Sequence, residues 1–252
     1  MSSEKLRQKL ENKMYHTFVN QHMHPPFIDT KKLDLLSLLF HQVALTEEEK
    51  YEQMVSIMLV QIALDTHERV TVDQEPLSEE LERQLSVLAG DYYSSLYYQS
   101  LAKLKEIRLI QIIAKAIKQV NEEKIRLYQF EIRTWEELMD TYSTIEASLF
   151  TSVGKYFNLP VTYLDYISHS LLLNKLTQEK AQIQKDQFSY IKEYVLRKQI
   201  ELNEPSMIEA IQKEIEAQER QLKALTCQGA VDSRQLEDRS DHPILLSLVE
   251  EG

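Results

Sequence analysis

The sequence MLVQIALDTHERV, at residues 58–70, is the end of an apolar helical stripe that begins near Tyr51. Apolar side chains recur along it at intervals of three and four residues, which predicts a helix with a buried face. A second helical stretch, LSVLAGDY at residues 85–92, has a glycine in its middle. Such a glycine costs about 1 kcal/mol relative to alanine in a helix. Gly90, with its neighbour Ala89, therefore indicates a place where another helix packs closely.

The rest of the chain also has a helical pattern. Its 252 residues include only four glycines and six prolines, which favours long helices over many short strands. Capping-box sequences at Thr46 and Thr134 begin two of the helices. We predict an all-α bundle of about nine helices, with one domain over residues 1–228 and a flexible tail over residues 229–252.

The charge and the apolar runs argue against several classes of protein. A net charge of −11 disfavours unspecific binding to nucleic acid or to anionic membranes. No apolar run approaches the ~20 residues of a membrane span, and the first residues lack the apolar region of a signal peptide. The single Cys227 cannot form a disulfide within the chain, as is usual in a reducing compartment. We therefore expect a cytoplasmic protein with no membrane span and no nucleic-acid partner.

One polar row interrupts the apolar surface of the first stretch. Gln61, Asp65 and Glu68 share a helix face through spacings of four and three residues. They could be the remnant of a diphosphate and magnesium site, or a hydrogen-bonding rim around a partner's substrate. The third interpretation is a solvated face on which Asp65 pairs with Arg69, a contact worth only a few tenths of a kcal/mol.

Aromatic residues follow the glycine of the second stretch. Four tyrosines lie within seven residues, and Tyr93 and Tyr97 are spaced to stack along one helix face. Rows of this kind are usual in a core, yet tyrosine is also favoured at buried interfaces because an apolar ring carries a polar tip. We favour a partner interface made by Ala89, Gly90, Tyr93 and Tyr97.

Together the two stretches resemble the core of a trans-prenyl diphosphate synthase. Members of that superfamily carry a helix ending in Leu-Ile-His-Asp-Asp-Val-Ile-Asp and, on the next helix, Leu-Ala-Gly-Asp followed by Phe or Tyr. Aligned without a gap, His67 matches the histidine before the first motif. Glu68 and Arg69 fall on the two leading aspartates, and Val72 falls on the closing one. A cationic arginine cannot be an oxygen ligand of a divalent ion.

Among these proteins, the chain most resembles the component 1 family of heptaprenyl diphosphate synthase, the small subunits of two-component bacterial enzymes. The resemblance is carried by residues 58–71, 85–98 and 117–128. The second aspartate-rich motif of the catalytic members maps loosely onto Asn158–Ser168, where Ile167 and Ser168 replace the aspartates. The resemblance thus implies a subunit that has no catalytic residues, binds no metal and is inactive alone.

The same resemblance implies a catalytic partner, component 2, which would hold Mg²⁺ on its own aspartate-rich motifs. The pair would elongate farnesyl diphosphate with isopentenyl diphosphate to an all-trans C35 diphosphate for menaquinone. Val60, Ala63 and Leu64 occupy the offsets from Glu68 that line the product tunnel in catalytic members. Family analogy also places the dimer face on the helix over residues 78–101 and on the helices that follow it.

Two alternatives remain open from the sequence. The first is a self-sufficient, diverged isoprenoid enzyme that uses Asp65, Glu68 and Asp91 as an unusual metal-binding set. The second is a helical adaptor protein with no connection to lipids. A neighbouring gene for a protein with two aspartate-rich motifs would separate these interpretations.

Overall fold

The computed structural model describes residues 3–23, 25–68, 77–198 and 204–231, and every regular element in these ranges is a helix. The ten helices are α1 (Ser3–Met14), α2 (Thr17–His22), α3 (Thr30–His41), α4 (Glu47–Glu68), α5 (Leu77–Lys103), α6 (Ile107–Tyr128), α7 (Trp135–Tyr156), α8 (Val161–Gln184), α9 (Tyr190–Arg197) and α10 (Glu204–Cys227). The all-α prediction is confirmed. The sequence pattern predicts one helix over residues 3–22, ended by Pro25 and Pro26, whereas the structure has two there, because His16 between α1 and α2 has extended backbone angles. None of the ten is long and apolar enough to cross a membrane.

The chain divides into two compact units, residues 1–117 and 118–252, with the boundary inside α6. The single domain expected over residues 1–228 stays a prediction. The expected tail falls mainly on residues 232–252, which lie outside the described residues.

In the first unit, α4 packs against α1, α3 and α5. Every residue from Gln53 to Leu64 is buried, as expected of a helix that is apolar on nearly all sides. Its start has the predicted capping box. The amide of Thr46 donates to Glu49 Oε2 at 3.0 Å, and the amide of Glu49 donates to Thr46 Oγ1 at 3.3 Å.

In the second unit, α8 packs against α7, α9 and α10. Gly154 allows α7 and α8 to approach closely, because a Cβ atom there would collide with the side chain of Leu164. The N-terminal end of α7 is capped as predicted, with the Glu137 amide donating to Thr134 Oγ1 at 3.1 Å.

Four helices, α5 to α8, end in the same way. The second residue after each helix is left-handed although it is not glycine, with φ of 60° at Lys105, 55° at Phe130, 55° at Asn158 and 52° at Asp186. The next amide in each case bonds back to a carbonyl five residues earlier, as from Glu106 to Leu101 at 2.9 Å. These are Schellman ends, made without the glycine that usually relieves the left-handed conformation.

Candidate functional site

The two stretches that predicted the fold touch each other through His67 of α4 and Gly90 of α5. A Cβ atom on Gly90 would lie 2.5 Å from both Cε1 and Nε2 of His67. His67 Nε2 also lies 3.6 Å from Oδ1 of Asp91. The imidazole therefore fills the space that the absent side chain of Gly90 leaves. The close helix contact that Gly90 indicated is made by the histidine of the other stretch.

The polar row on α4 is partly satisfied within the chain. Gln61 is 6% exposed, and its Nε2 atom donates to Asp65 Oδ1 at 2.8 Å. Arg69 and Val72, at two positions of the first motif, lie outside the described residues. Within the described ranges, no group of three or more histidine, cysteine, aspartate or glutamate side chains is placed to hold a metal ion. The donor set there does not fit the oxygen cluster that Mg²⁺ requires.

The proposed tunnel-wall residues are buried in the first unit. Val60 is 1% exposed, Ala63 is 3% exposed and Leu64 is 8% exposed. One open pocket of about 480 Å³ lies beside α1 and α4, and another of about 510 Å³ lies at the junction of α7 and α8. None of the three residues lines either pocket, so their role as a tunnel wall stays a prediction.

The tyrosines of α5 divide between core and surface. Tyr93 is 2% exposed and Ala89 is 1% exposed, so both are core residues of this chain. Tyr97 is half-buried, and burial raises the pKa of its phenol. Its ring packs edge-on against that of Tyr98, with centroids 6.4 Å apart. Part of the predicted interface set is therefore inaccessible to a partner in this fold.

The accessible surface of α5 carries residues that the sequence pattern did not single out. Leu88 is 62% exposed and Tyr98 is 57% exposed. Both lie away from the side on which Ala89 and Tyr93 are buried. Single exposed apolar side chains are ordinary on a protein surface, and a contiguous apolar patch is what marks a contact surface.

The positions of the second aspartate-rich motif lie on α8. Ile167 is fully buried and cannot act as a ligand. Ser168 is half-buried and lines the pocket of about 510 Å³ together with Lys155 and Asp165. A single carboxylate and a hydroxyl do not reproduce the carboxylate cluster of a metal-binding motif.

A buried charge pair in the second unit was not predicted from the sequence. Glu179 is 1% exposed, and it accepts from Lys175 Nζ at 2.9 Å and from Ser189 Oγ at 2.6 Å. Ser189 is the N-cap of α9, so one carboxylate connects α8 to the next helix. Burial, and then the negative charge of Glu179, raise the pKa of Tyr142 well above its ordinary value. The only signal in the sequence was the four-residue spacing of Lys175 and Glu179, which usually marks a surface pair.

A second buried charge lies at the start of α3. Lys31 is 9% exposed, and its ammonium makes no hydrogen bond within the described residues. Burial lowers the pKa of Lys31, while the nearby carboxylate of Asp29 opposes that shift. Asp29 caps the helix by accepting from the amides of Lys31 and Lys32 at 2.9 and 3.1 Å.

Comparison with known families and proteins gives two sequence matches. A family model described as "Heptaprenyl diphosphate synthase (HEPPP synthase) subunit 1" matches residues 16–228. Component 1 of heptaprenyl diphosphate synthase from Geobacillus stearothermophilus is 39% identical over 128 residues, which cover 51% of this chain and 57% of that protein. The matched stretch thus spans little more than half the length of this relative.

Solved structures agree on the fold. A decaprenyl diphosphate synthase from Rhodobacter capsulatus matches with a TM-score of 0.59 at 14% identity, covering 98% of this chain and 92% of that one. A geranylgeranyl pyrophosphate synthetase from Pyrococcus horikoshii Ot3 matches with a TM-score of 0.57 at 16% identity, covering 98% and 86%. At these identities the likeness concerns the fold alone, and it confirms the predicted isoprenoid-synthase-like architecture.

Proposed function

The chain belongs to the heptaprenyl diphosphate synthase subunit 1 family, and from this membership we propose that it is the non-catalytic subunit of a two-component trans-prenyl diphosphate synthase. Its partner, component 2, would elongate farnesyl diphosphate with isopentenyl diphosphate to an all-trans C35 diphosphate for menaquinone. The observation that carries the proposal is the loss of ligand chemistry at both metal-binding motifs. Glu68 and the cationic Arg69 occupy the leading aspartate positions of the first motif, and Ile167 and Ser168 occupy the aspartate positions of the second.

The chemistry of chain elongation explains why this loss matters. Ionisation of an allylic diphosphate builds negative charge on the leaving group, and bound divalent cations stabilise that charge. The described residues supply no carboxylate cluster for such cations. The partner would hold the Mg²⁺ ions, and this chain would support the partner's active conformation.

Reconstitution tests the proposal. The purified chain, incubated with farnesyl diphosphate, isopentenyl diphosphate and Mg²⁺, should give no product. Addition of component 2 should give the C35 diphosphate, and component 2 alone is the control. Robust elongation by this chain alone would refute the proposal and favour the diverged self-sufficient enzyme. If component 2 is equally active with and without the chain, the adaptor interpretation is favoured.

The alternative metal set of the self-sufficient enzyme has weaker support in the geometry. Asp91 lies beside His67 at 3.6 Å, and Asp65 accepts from Gln61 at 2.8 Å. These two carboxylates thus have contacts within the chain. Asparagine at Asp65 and Asp91 would abolish activity under that alternative. Under the proposal, activity with the partner is retained.

We also propose that α5 contacts the partner through its exposed apolar residues. Leu88 and Tyr98 are accessible, whereas Tyr93 packs inside this chain. Support comes from the family analogy for this helix and from the general enrichment of aromatic residues at interfaces. A charge at Tyr93 would disrupt the core and would not report on the partner, so it is the wrong probe for this surface.

Tyr98→Asp should weaken co-purification with component 2 by at least about tenfold, since a central aromatic contact at an interface typically contributes more than 1.4 kcal/mol. Val161→Asp is the matched control, because Val161 is 71% exposed on α8 and lies on a different helix. Both variants should keep the helical circular dichroism of the wild type. If Tyr98→Asp binds component 2 as well as Val161→Asp does, the exposed face of α5 is not the partner interface.

Finally, we propose that α4 contributes Val60, Ala63 and Leu64 to the wall along which the product grows. The support is their offset from Glu68 and the small side chain of Ala63 among apolar neighbours. Each isoprene unit adds five carbons, and each methylene-sized group contributes about 0.8 kcal/mol when buried. An obstruction in the wall should therefore shorten the product, as well as slow the enzyme.

A further inference from the structure

We draw no further inference here: the strongest candidate, the buried ammonium of Lys31 at the start of α3, carries no proposal of an anion site, because Asp29 already accepts the amide hydrogens of that helix end and nothing in the structure shows which group from outside the chain would meet it.

Discussion

Substitution of Gly90 by alanine tests whether His67 and Gly90 form one packing unit between α4 and α5. The new Cβ atom would lie 2.5 Å from two atoms of the imidazole. Ordinary carbon contacts are about 3.5–4.0 Å, so the ring or the helix must move by roughly 1 Å or more. Overpacking of this kind costs about 1–3 kcal/mol. Alanine in mid-helix gains about 1 kcal/mol over glycine.

In the wild-type background these two effects oppose each other, and Gly90→Ala should be neutral or destabilising by up to about 2 kcal/mol. The His67 side chain is 38% exposed, so rotation of the ring toward solvent relieves part of the strain. In a His67→Ala background the obstruction is absent. There the same substitution should stabilise the chain by about 1 kcal/mol. The expected coupling energy is therefore about 1–3 kcal/mol.

Urea unfolding of the wild type, the two single variants and the double variant measures this coupling. Gly154→Ala is the matched control. Its added Cβ would meet Leu164 and Leu159, so its effect should be the same with or without His67. If Gly90→Ala changes stability equally in both backgrounds, to within about 0.5 kcal/mol, the packing-unit interpretation is wrong.

Three further predictions concern buried side chains. Ala63→Phe, assayed with wild-type component 2, should yield products shorter than C35. Ala147→Phe is the control at equal burial and should only lower stability. If both variants give the C35 product, Ala63 does not line the tunnel. Burial lowers the pKa of Lys31 from 10.5. Between that lowered pKa and pH 10.5 the unfolded chain therefore binds more protons than the folded chain, so this group makes the free energy of unfolding rise with pH. Lys31→Met should thus be more stable than wild type at pH 7 by a margin that shrinks toward pH 10; a constant margin in urea unfolding would contradict this. Glu179→Leu should destabilise the second unit by about 2–3 kcal/mol. Glu179→Gln keeps an acceptor for Ser189 and should cost less. If both variants lose the same free energy of unfolding, the bond to Ser189 does not contribute to stability.

The sequence predicted what depends on local spacing. The capping box at Thr46 is complete in the structure, because it requires only residues three positions apart. At Thr134 the hydroxyl accepts from the Glu137 amide as predicted, whereas the Glu137 carboxylate accepts from the amide of Arg133 at 2.8 Å. The apolar stripe near residue 58 correctly predicted a helix, although between Gln53 and Leu64 burial extends around all sides of α4. Gly90 correctly indicated a close approach. The interruption before α2 was not predicted, and His16 makes no side-chain cap there that a pattern could reveal.

Contacts that depend on how helices pack could not be predicted from the sequence. The spacing of Tyr93 and Tyr97 places them on one side of a helix, but the direction from which α4 packs determines which of them is buried. Glu179 has the spacing of an ordinary surface pair with Lys175, and only the position of Ser189 in the fold makes it a buried connection. The identity of the residue opposite Gly90 is likewise a property of the packed pair of helices.

The left-handed ends of α5 to α8 have a practical consequence for mutational work. A non-glycine residue held at positive φ carries roughly 1 kcal/mol of conformational strain, which glycine would relieve. Lys105 is exposed, so glycine there removes little besides a solvated side chain. A Lys105→Gly background would offset part of the cost of an overpacked α4. Disruptive probes of the first unit could then be assayed in a chain that remains folded at the temperature of the reaction.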